Sequence, residues 1–482
     1  MSAPLSDATL GSIDPRVEQP GYDRSIVTPG IVHLGIGAFH RAHQAAFTDD
    51  CLWDGESHWG IIGVSLRSRD TRDALKKQDC LYTLAIRDGD RQQLRVIGSV
   101  CDILVVPENP ALVLEVMSSP DIRIVSLTVT EKAYFRNAAG DLDFGHRDIL
   151  ADLADPRRPR TIFGLIVGAI EQRRLRRIKP FTVMSCDNLA ANGRTLHRLL
   201  VQFATRRSEE LADFIRDHVS CPSTMVDRIV PATTALDRSE VGALLGAEDA
   251  WPVACEPFSQ WVIEDDFPSG RPSWEHHGAT FVNDVEPFEL MKLRLLNGAH
   301  CAIAYLGQLL RHETVADSFS DPRVARFVRA LWRELIPTLQ QGAGLKPAAY
   351  VEDLALRFGN SALKHRTAQI ANDGSQKLPQ RIVAAAMERL DRGEPVDHLA
   401  FVVAAWIAAL LSRQPDTFTD ALDPQFVHLD PSSNIVEQIF TIAGFASGDP
   451  HRIPFAKQVA TQLARIDESG VAAALGALNG KA

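Results

Sequence analysis

The chain has 482 residues, 45% hydrophobic and 23% charged, a globular composition long enough for two domains. Its formal charge of −10 comes from mixed signs with no basic tail, which argues against a nucleic-acid binder. The opening MSAPLSDATLGSIDP has no basic region followed by an apolar stretch, so no secretory leader and a cytoplasmic location are expected.

In chain order, short apolar runs at 31–34, 60–66, 122–129 and 181–185 predict strands. Helical periodicity at 110–117 and 161–178 lies between them, the latter closed by Pro180. This alternation predicts an α/β fold that begins with a Rossmann-like, doubly wound, mostly parallel sheet. Residues 81–97 read instead as a β-hairpin around Asp88-Gly89-Asp90. After about residue 284 strand signals fade and helical periodicity takes over at 288–310, 322–340, 380–391 and 398–413. The expected division is a cofactor-binding domain over 1–283 and a mainly α-helical substrate-binding domain over 284–482. The longest apolar run, 399–411, is too short for the roughly 20 residues that span a bilayer, so it is read as a buried helix and no membrane partner is expected. Seven cysteines (Cys51, Cys80, Cys101, Cys186, Cys221, Cys255 and Cys301) stand singly, which gives neither a disulfide framework nor a zinc knuckle.

Gly35-Ile36-Gly37-Ala38-Phe39-His40 follows the first predicted strand and precedes a helical stretch, the setting in which a G-x-G turn offers backbone N–H groups to a pyrophosphate. Gly35, Gly37, Ala38 and Phe39 are the candidate cofactor-binding residues, with Arg41 as a phosphate contact. His40 replaces the usual third glycine, and a glycine turn needed only for packing is the competing reading. His40 and His43 have no neighbouring cysteine or carboxylate to complete a metal site, so no metal is expected. The second strand ends Leu66-Arg67-Ser68-Arg69-Asp70, where the acid that holds an NAD ribose arrives late and two arginines precede it. NAD is favoured as cofactor, with NADP left open.

The segment Glu289 to His300 carries the densest chemistry. At about 100° per residue Lys292, His300 and Asn297 fall near 0°, 80° and 140°, on one side of an α-helix, with Leu296 and Leu293 among them. Lys292 and His300 then lie about 12 Å apart along the axis. Alcohol oxidation needs a base for the hydroxyl proton and donors for the developing oxyanion. A desolvated lysine can serve as the base, asparagine amides as the donors, and a histidine can hold a neighbouring substrate hydroxyl. Asn188, in Ser185-Cys186-Asp187-Asn188 at the end of the fourth predicted strand, is a second donor candidate; a turn-forming Asp-Asn is its alternative.

Ordered motifs tie these segments together: IVHLGIGAFHRAHQ (31–44), SLTVTEKAY (126–134), FTVMSCDN (181–188), MVDRIVP (225–231), ACEPFSQWVIEDDF (254–267), MKLRLLNGAH (291–300) and KHRTAQIANDGSQKLPQR (364–381). Over nearly its whole length the chain resembles the polyol-specific long-chain dehydrogenases, the mannitol dehydrogenase family, which includes mannitol 2-dehydrogenase and fructuronate reductase. The resemblance implies a metal-independent NAD(P)-dependent oxidoreductase acting on a small acyclic sugar derivative, and a monomer or weak dimer. It implies Lys292 as general acid/base, with Asn297, His300 and Asn188 completing the catalytic set. It also implies Glu289 as a proton path and Asp227 and Lys377 as substrate contacts. Gln369 stands where mannitol 2-dehydrogenases tend to have an arginine, and the Lys364-His365-Arg366-Thr367 block is more similar to fructuronate reductase. A substrate carboxylate would want a planar cation, for which Arg366 or Arg381 is available. Interconversion of D-mannonate and D-fructuronate is therefore the leading expectation. A neutral polyol dehydrogenase, a non-catalytic nucleotide-binding protein and a zinc alcohol dehydrogenase are the alternatives.

Overall fold

The computed structural model describes residues 3–340, 342, 344–413 and 417–480. The chain divides into two compact units, Met1–Glu286 and Pro287–Ala482, where the sequence placed the division at 283/284.

The first unit contains eleven strands among its described residues: β1 Pro29–Leu34, β2 Gly60–Ser65, β3 Tyr82–Asp88, β4 Arg91–Ile97, β5 Val100–Val105, β6 Ile124–Leu127, β7 Thr182–Ser185, β8 Thr224–Asp227, β9 Val253–Cys255, β10 Gln260–Glu264 and β11 Thr280–Val282. The main sheet has the order β5-β2-β1-β6-β7 and every pairing in it is parallel. Strand order reverses between β1 and β6, which places a topological switch point at their carboxyl ends.

Alternation along the strands explains why both sheet faces are covered. Val32, Leu34, Val125 and Val183 pack into one core with Phe163 and Ile166 of the helix Ile162–Leu175 and Phe203 of the helix Asn192–Thr205. Ile31, Ile124 and Met184 enter the opposite core with Ala45, Trp261 and Trp274. The predicted hairpin is present as β3–β4, paired from Tyr82↔Ile97 to Asp88↔Arg91, and β9 adds to it in parallel. A third small sheet, β11-β10-β8, positions Asp227 opposite Gln260.

The second unit has no strand among its described residues. Its centre is the helix Gly298–Leu310, buried from Gly298 to Gly307. The apolar run at 399–411 lies in the helix Asp397–Ser412, which is buried from His398 to Leu410. No helix among the described residues is long and apolar enough to cross a membrane.

One local geometry differs from the expected α-periodicity. Residues Lys292–Asn297 form a π-helical turn, in which the Gly298 N–H reaches the Leu293 carbonyl five residues back. A second such turn spans Pro379–Val383, with the Ala384 N–H on the Pro379 carbonyl. The 100° wheel drawn for Lys292, Asn297 and His300 therefore does not apply, because a π turn holds more residues per revolution. Tertiary contacts hold the first turn open. The Trp332 indole N–H donates to the Leu295 carbonyl at 2.9 Å, and the buried Arg294 guanidinium donates to Glu388 at 2.8 Å and to the Thr338 carbonyl at 2.7 Å. Glycine at 298 lets the two turns approach: a Cβ there would lie 3.3 Å from the Arg381 carbonyl oxygen.

Candidate active site

In the first unit, the G-x-G turn sits at the switch point. Gly35 has φ +95°, and a Cβ on it would lie 2.1 Å from the Thr128 carbonyl oxygen, so no other residue fits. Its N–H bonds to the Val64 carbonyl on β2 at 2.9 Å. Gly37 is exposed and precedes the helix Ala38–Ala42, and a Cβ on it would make only an ordinary contact, 3.8 Å from the Gly35 carbonyl oxygen. Ala38 and Phe39 are half-buried, and Phe39 stacks on the His43 ring. This open glycine with backbone on either side suits close approach of a pyrophosphate.

Buried hydrogen bonds fix the turn to β6. The Thr128 hydroxyl donates to the Gly35 carbonyl at 2.9 Å, so it must accept from His33 Nε2, 2.8 Å away. That assigns the neutral tautomer to His33, whose Nδ1 accepts from the Ser126 hydroxyl at 2.8 Å. Burial pushes the His33 pKa down to about 3, in keeping with an uncharged ring.

Arg41 is turned away from this opening. It is 4% exposed, its guanidinium donates to the Trp251 carbonyl at 2.5 Å and lies 5.2 Å from the centre of the Tyr82 ring. The sequence expected a phosphate contact from this side chain; its guanidinium is engaged inside the unit. At the end of β2, Arg67, Ser68, Arg69 and Asp70 are all exposed, and the Asp70 carboxylate accepts from the Ser68 hydroxyl at 2.5 Å.

Asn188 is exposed just beyond the end of β7, beside Asp187, whose role the sequence did not reveal. The Asp187 carboxylate is 9% exposed and accepts from the Val129 N–H at 2.7 Å and from the Tyr134 hydroxyl at 2.6 Å. It thus ties the segment after β6 to the segment carrying Asn188. Burial, only partly offset by these bonds, raises its pKa from 3.8 to about 7. An unfolded chain ionises this group first, so its contribution to stability is full below about pH 4 and is lost as the pH rises to about 7. Asp187→Asn should therefore flatten the fall in denaturation midpoint between pH 4 and pH 7; an unchanged slope removes Asp187 as its source. Asp227, 6% exposed, ends β8.

In the second unit, Lys292 and His300 are each 8% exposed and lie on either side of Asn297, which is half-buried at the end of the π turn. The His300 ring packs on Phe358 at 4.8 Å and edge-on to His365 at 5.6 Å. Its pKa is pushed well below the usual value, first by burial and then by the basic groups His365, Arg357, Arg381 and Lys292. His300 is therefore neutral and can both donate and accept. Glu289 is half-buried one turn before Lys292. The Lys377 ammonium donates to the Ile370 and Asn372 carbonyls at 3.2 and 2.6 Å, which uses two of its three donors. Burial lowers its pKa; the Arg381 charge acts in the same direction, and Cys301, Asp373 and Asp420 oppose it.

The two arginines at the far end of the expected site differ. Arg366 is exposed, and its backbone bridges to Thr314. Arg381 is half-buried in the second π turn and its guanidinium donates to the Cys301 sulfur at 3.4 Å. No group of three or more His, Cys, Asp or Glu residues able to hold a metal comes together among the described residues, and all seven cysteines are free thiols.

Comparison with known proteins agrees with this layout. Residues 29–276 match the Mannitol dehydrogenase Rossmann domain, and residues 284–437 the Mannitol dehydrogenase C-terminal domain. The chain is 41% identical over 477 residues to the D-mannonate oxidoreductase of Escherichia coli (strain K12), covering 96% of this chain and 98% of that one. It is 42% identical over 394 residues to the mannitol 2-dehydrogenase of Cereibacter sphaeroides, covering 81% and 82%. Among solved structures, the Pseudomonas fluorescens mannitol 2-dehydrogenase ternary complex with NAD and D-mannitol matches with a TM-score of 0.85 and 37% identity, over 99% of this chain and 100% of that one. With both units matched and a relative aligned almost end to end, the chain belongs to the mannitol dehydrogenase family of oxidoreductases.

Proposed function

We propose that the protein interconverts D-mannonate and D-fructuronate with NAD as cofactor. The observation that carries the chemistry is the burial of Lys292 together with a neutral His300 around an opened helical turn that also presents Asn297. NAD, when bound, supplies the hydride acceptor, and the chain's own residues manage the proton and the orientation.

Lys292 takes the proton of the reacting hydroxyl in oxidation and returns it to the alkoxide in reduction. Asn297 and Asn188 donate to the oxygen as negative charge develops on it. His300 holds a neighbouring hydroxyl, and Glu289, one turn from Lys292, relays the proton. Asp227 and Lys377 bind substrate oxygens. Backbone N–H groups of Ala38 and Phe39, at the start of the helix Ala38–Ala42, hold the pyrophosphate, and Gly35 and Gly37 shape the turn that lets it approach; the exposed Gly37, with no side chain, supports this.

The uronate reading is supported by alignment to a D-mannonate oxidoreductase along nearly the full length of both chains. The basic groups around His300 add to it, since they suit an anionic substrate. A neutral polyol substrate is the second reading, favoured by the likeness to the D-mannitol complex. Initial rates with D-fructuronate and D-fructose, each with NADH and NADPH, decide between them. Preference for fructuronate with NADH is expected, and preference for fructose overturns the uronate assignment.

A further inference from the structure

Arg381 has a guanidinium with five N–H donors, and among the described residues its hydrogen bond is to the sulfur of Cys301, a weak acceptor. Half-buried arginines are ordinarily matched to a carboxylate or to carbonyl oxygens. Asp420, an acid of the same cluster, is already engaged: it accepts from the Ser375 N–H at 2.9 Å, from the Ser375 hydroxyl and from the Leu422 N–H at 3.0 Å. Its charge bears on two basic groups, Lys377 and His300, as well as on the buried Tyr305 hydroxyl.

The backbone reinforces this placement. Arg381 lies in the second π turn, whose carbonyl oxygen at 381 faces Gly298, between Asn297 and His300 in the chain. Its side chain then runs along the helix Gly298–Leu310 to Cys301, the residue after His300. Two basic side chains, Lys377 and Arg381, are thus within electrostatic reach of each other, and Arg381 of His300, an arrangement that a bound anion would relieve.

We propose that Arg381 is the residue that reads the substrate carboxylate, through a two-pronged guanidinium–carboxylate contact, and that Lys377 supports it with its remaining donor. The proposal rests on the uronate reading above and names the group that creates it. Arg366, exposed and bridged through its backbone, is set aside.

The test is steady-state kinetics of the purified protein with NADH on D-fructuronate and D-fructose, for Arg381→Gln and Arg381→Lys. Arg381→Gln is expected to lower kcat/KM for fructuronate by about 100-fold, mostly through KM, while fructose changes by less than about threefold. Arg381→Lys, which keeps the charge and loses the fork, should recover part of the loss for fructuronate. Equal losses on both substrates, no loss on either, or a fructuronate-specific loss in Arg366→Ala without one in Arg381→Gln each overturn the assignment. The two readings fail differently. A wild-type protein that prefers fructose overturns the uronate substrate and this inference together, whereas a wild-type preference for fructuronate that survives Arg381→Gln overturns the inference alone.

Discussion

Replacing Lys292 by alanine is expected to lower kcat for the preferred substrate by about a thousandfold, within the range that positioned proton transfer contributes. The side chain is buried, and the turn around it is fixed by Trp332 and by the Arg294–Glu388 pair, neither of which needs the ammonium group. The fold and the first unit should therefore be unaffected, and titration of NADH fluorescence should give the same dissociation constant as wild type. A fall of less than about tenfold would take Lys292 out of proton transfer. Lys292→Met, which keeps the length and apolar stem, separates loss of the amine from loss of packing.

The second large effect divides the two glycines of the cofactor turn. Gly35→Ala forces a Cβ against the Thr128 carbonyl in a backbone conformation that L-residues avoid, and neither partner can move without breaking the β1–β6 register. A loss of about 3 kcal/mol or more is expected, enough to lower Tm by several degrees. Gly37→Ala meets only the Gly35 carbonyl oxygen, at an ordinary 3.8 Å, and its φ −84° and ψ −175° are an extended conformation open to any residue. Its Tm should match wild type, while the added methyl stands at the cofactor opening and raises the KM for NADH about tenfold or more. Equal Tm losses in the two variants would show that the turn serves packing alone.

Much of the fold was legible because the first unit obeys simple patterns. β1, β2, β6 and β7 are apolar runs closed by turns, and the hairpin announced itself through Asp88-Gly89-Asp90. The strands β8 to β11 were not, because three to five residues carry too little periodicity and their partners are distant in sequence. In the second unit the helices Pro347–Phe358, Arg452–Ser469 and Val471–Asn479 also went unread. The site was legible as residue types and not as geometry. A sequence periodicity of 3.6 cannot register a π turn whose bracing partners, Trp332, Thr338 and Glu388, are all distant in sequence from Leu295 and Arg294. Asp187 looked like a turn residue because nothing near it in sequence reveals Tyr134 and the Val129 N–H. Arg41 looked like a phosphate contact because its acceptor, Trp251, lies 210 residues away.

The opened turn at Lys292–Asn297 also constrains how this stretch can vary. An extra residue is housed there between Met291 and Gly298 relative to a regular α-helix, so losing one would restore ordinary hydrogen bonding and close the bulge while the helical segments on either side keep their phase. Substitution of the intervening leucines by residues of similar volume keeps the bulge, and loss of a residue does not. The segment thus carries a count, tolerant of spelling and intolerant of a missing letter.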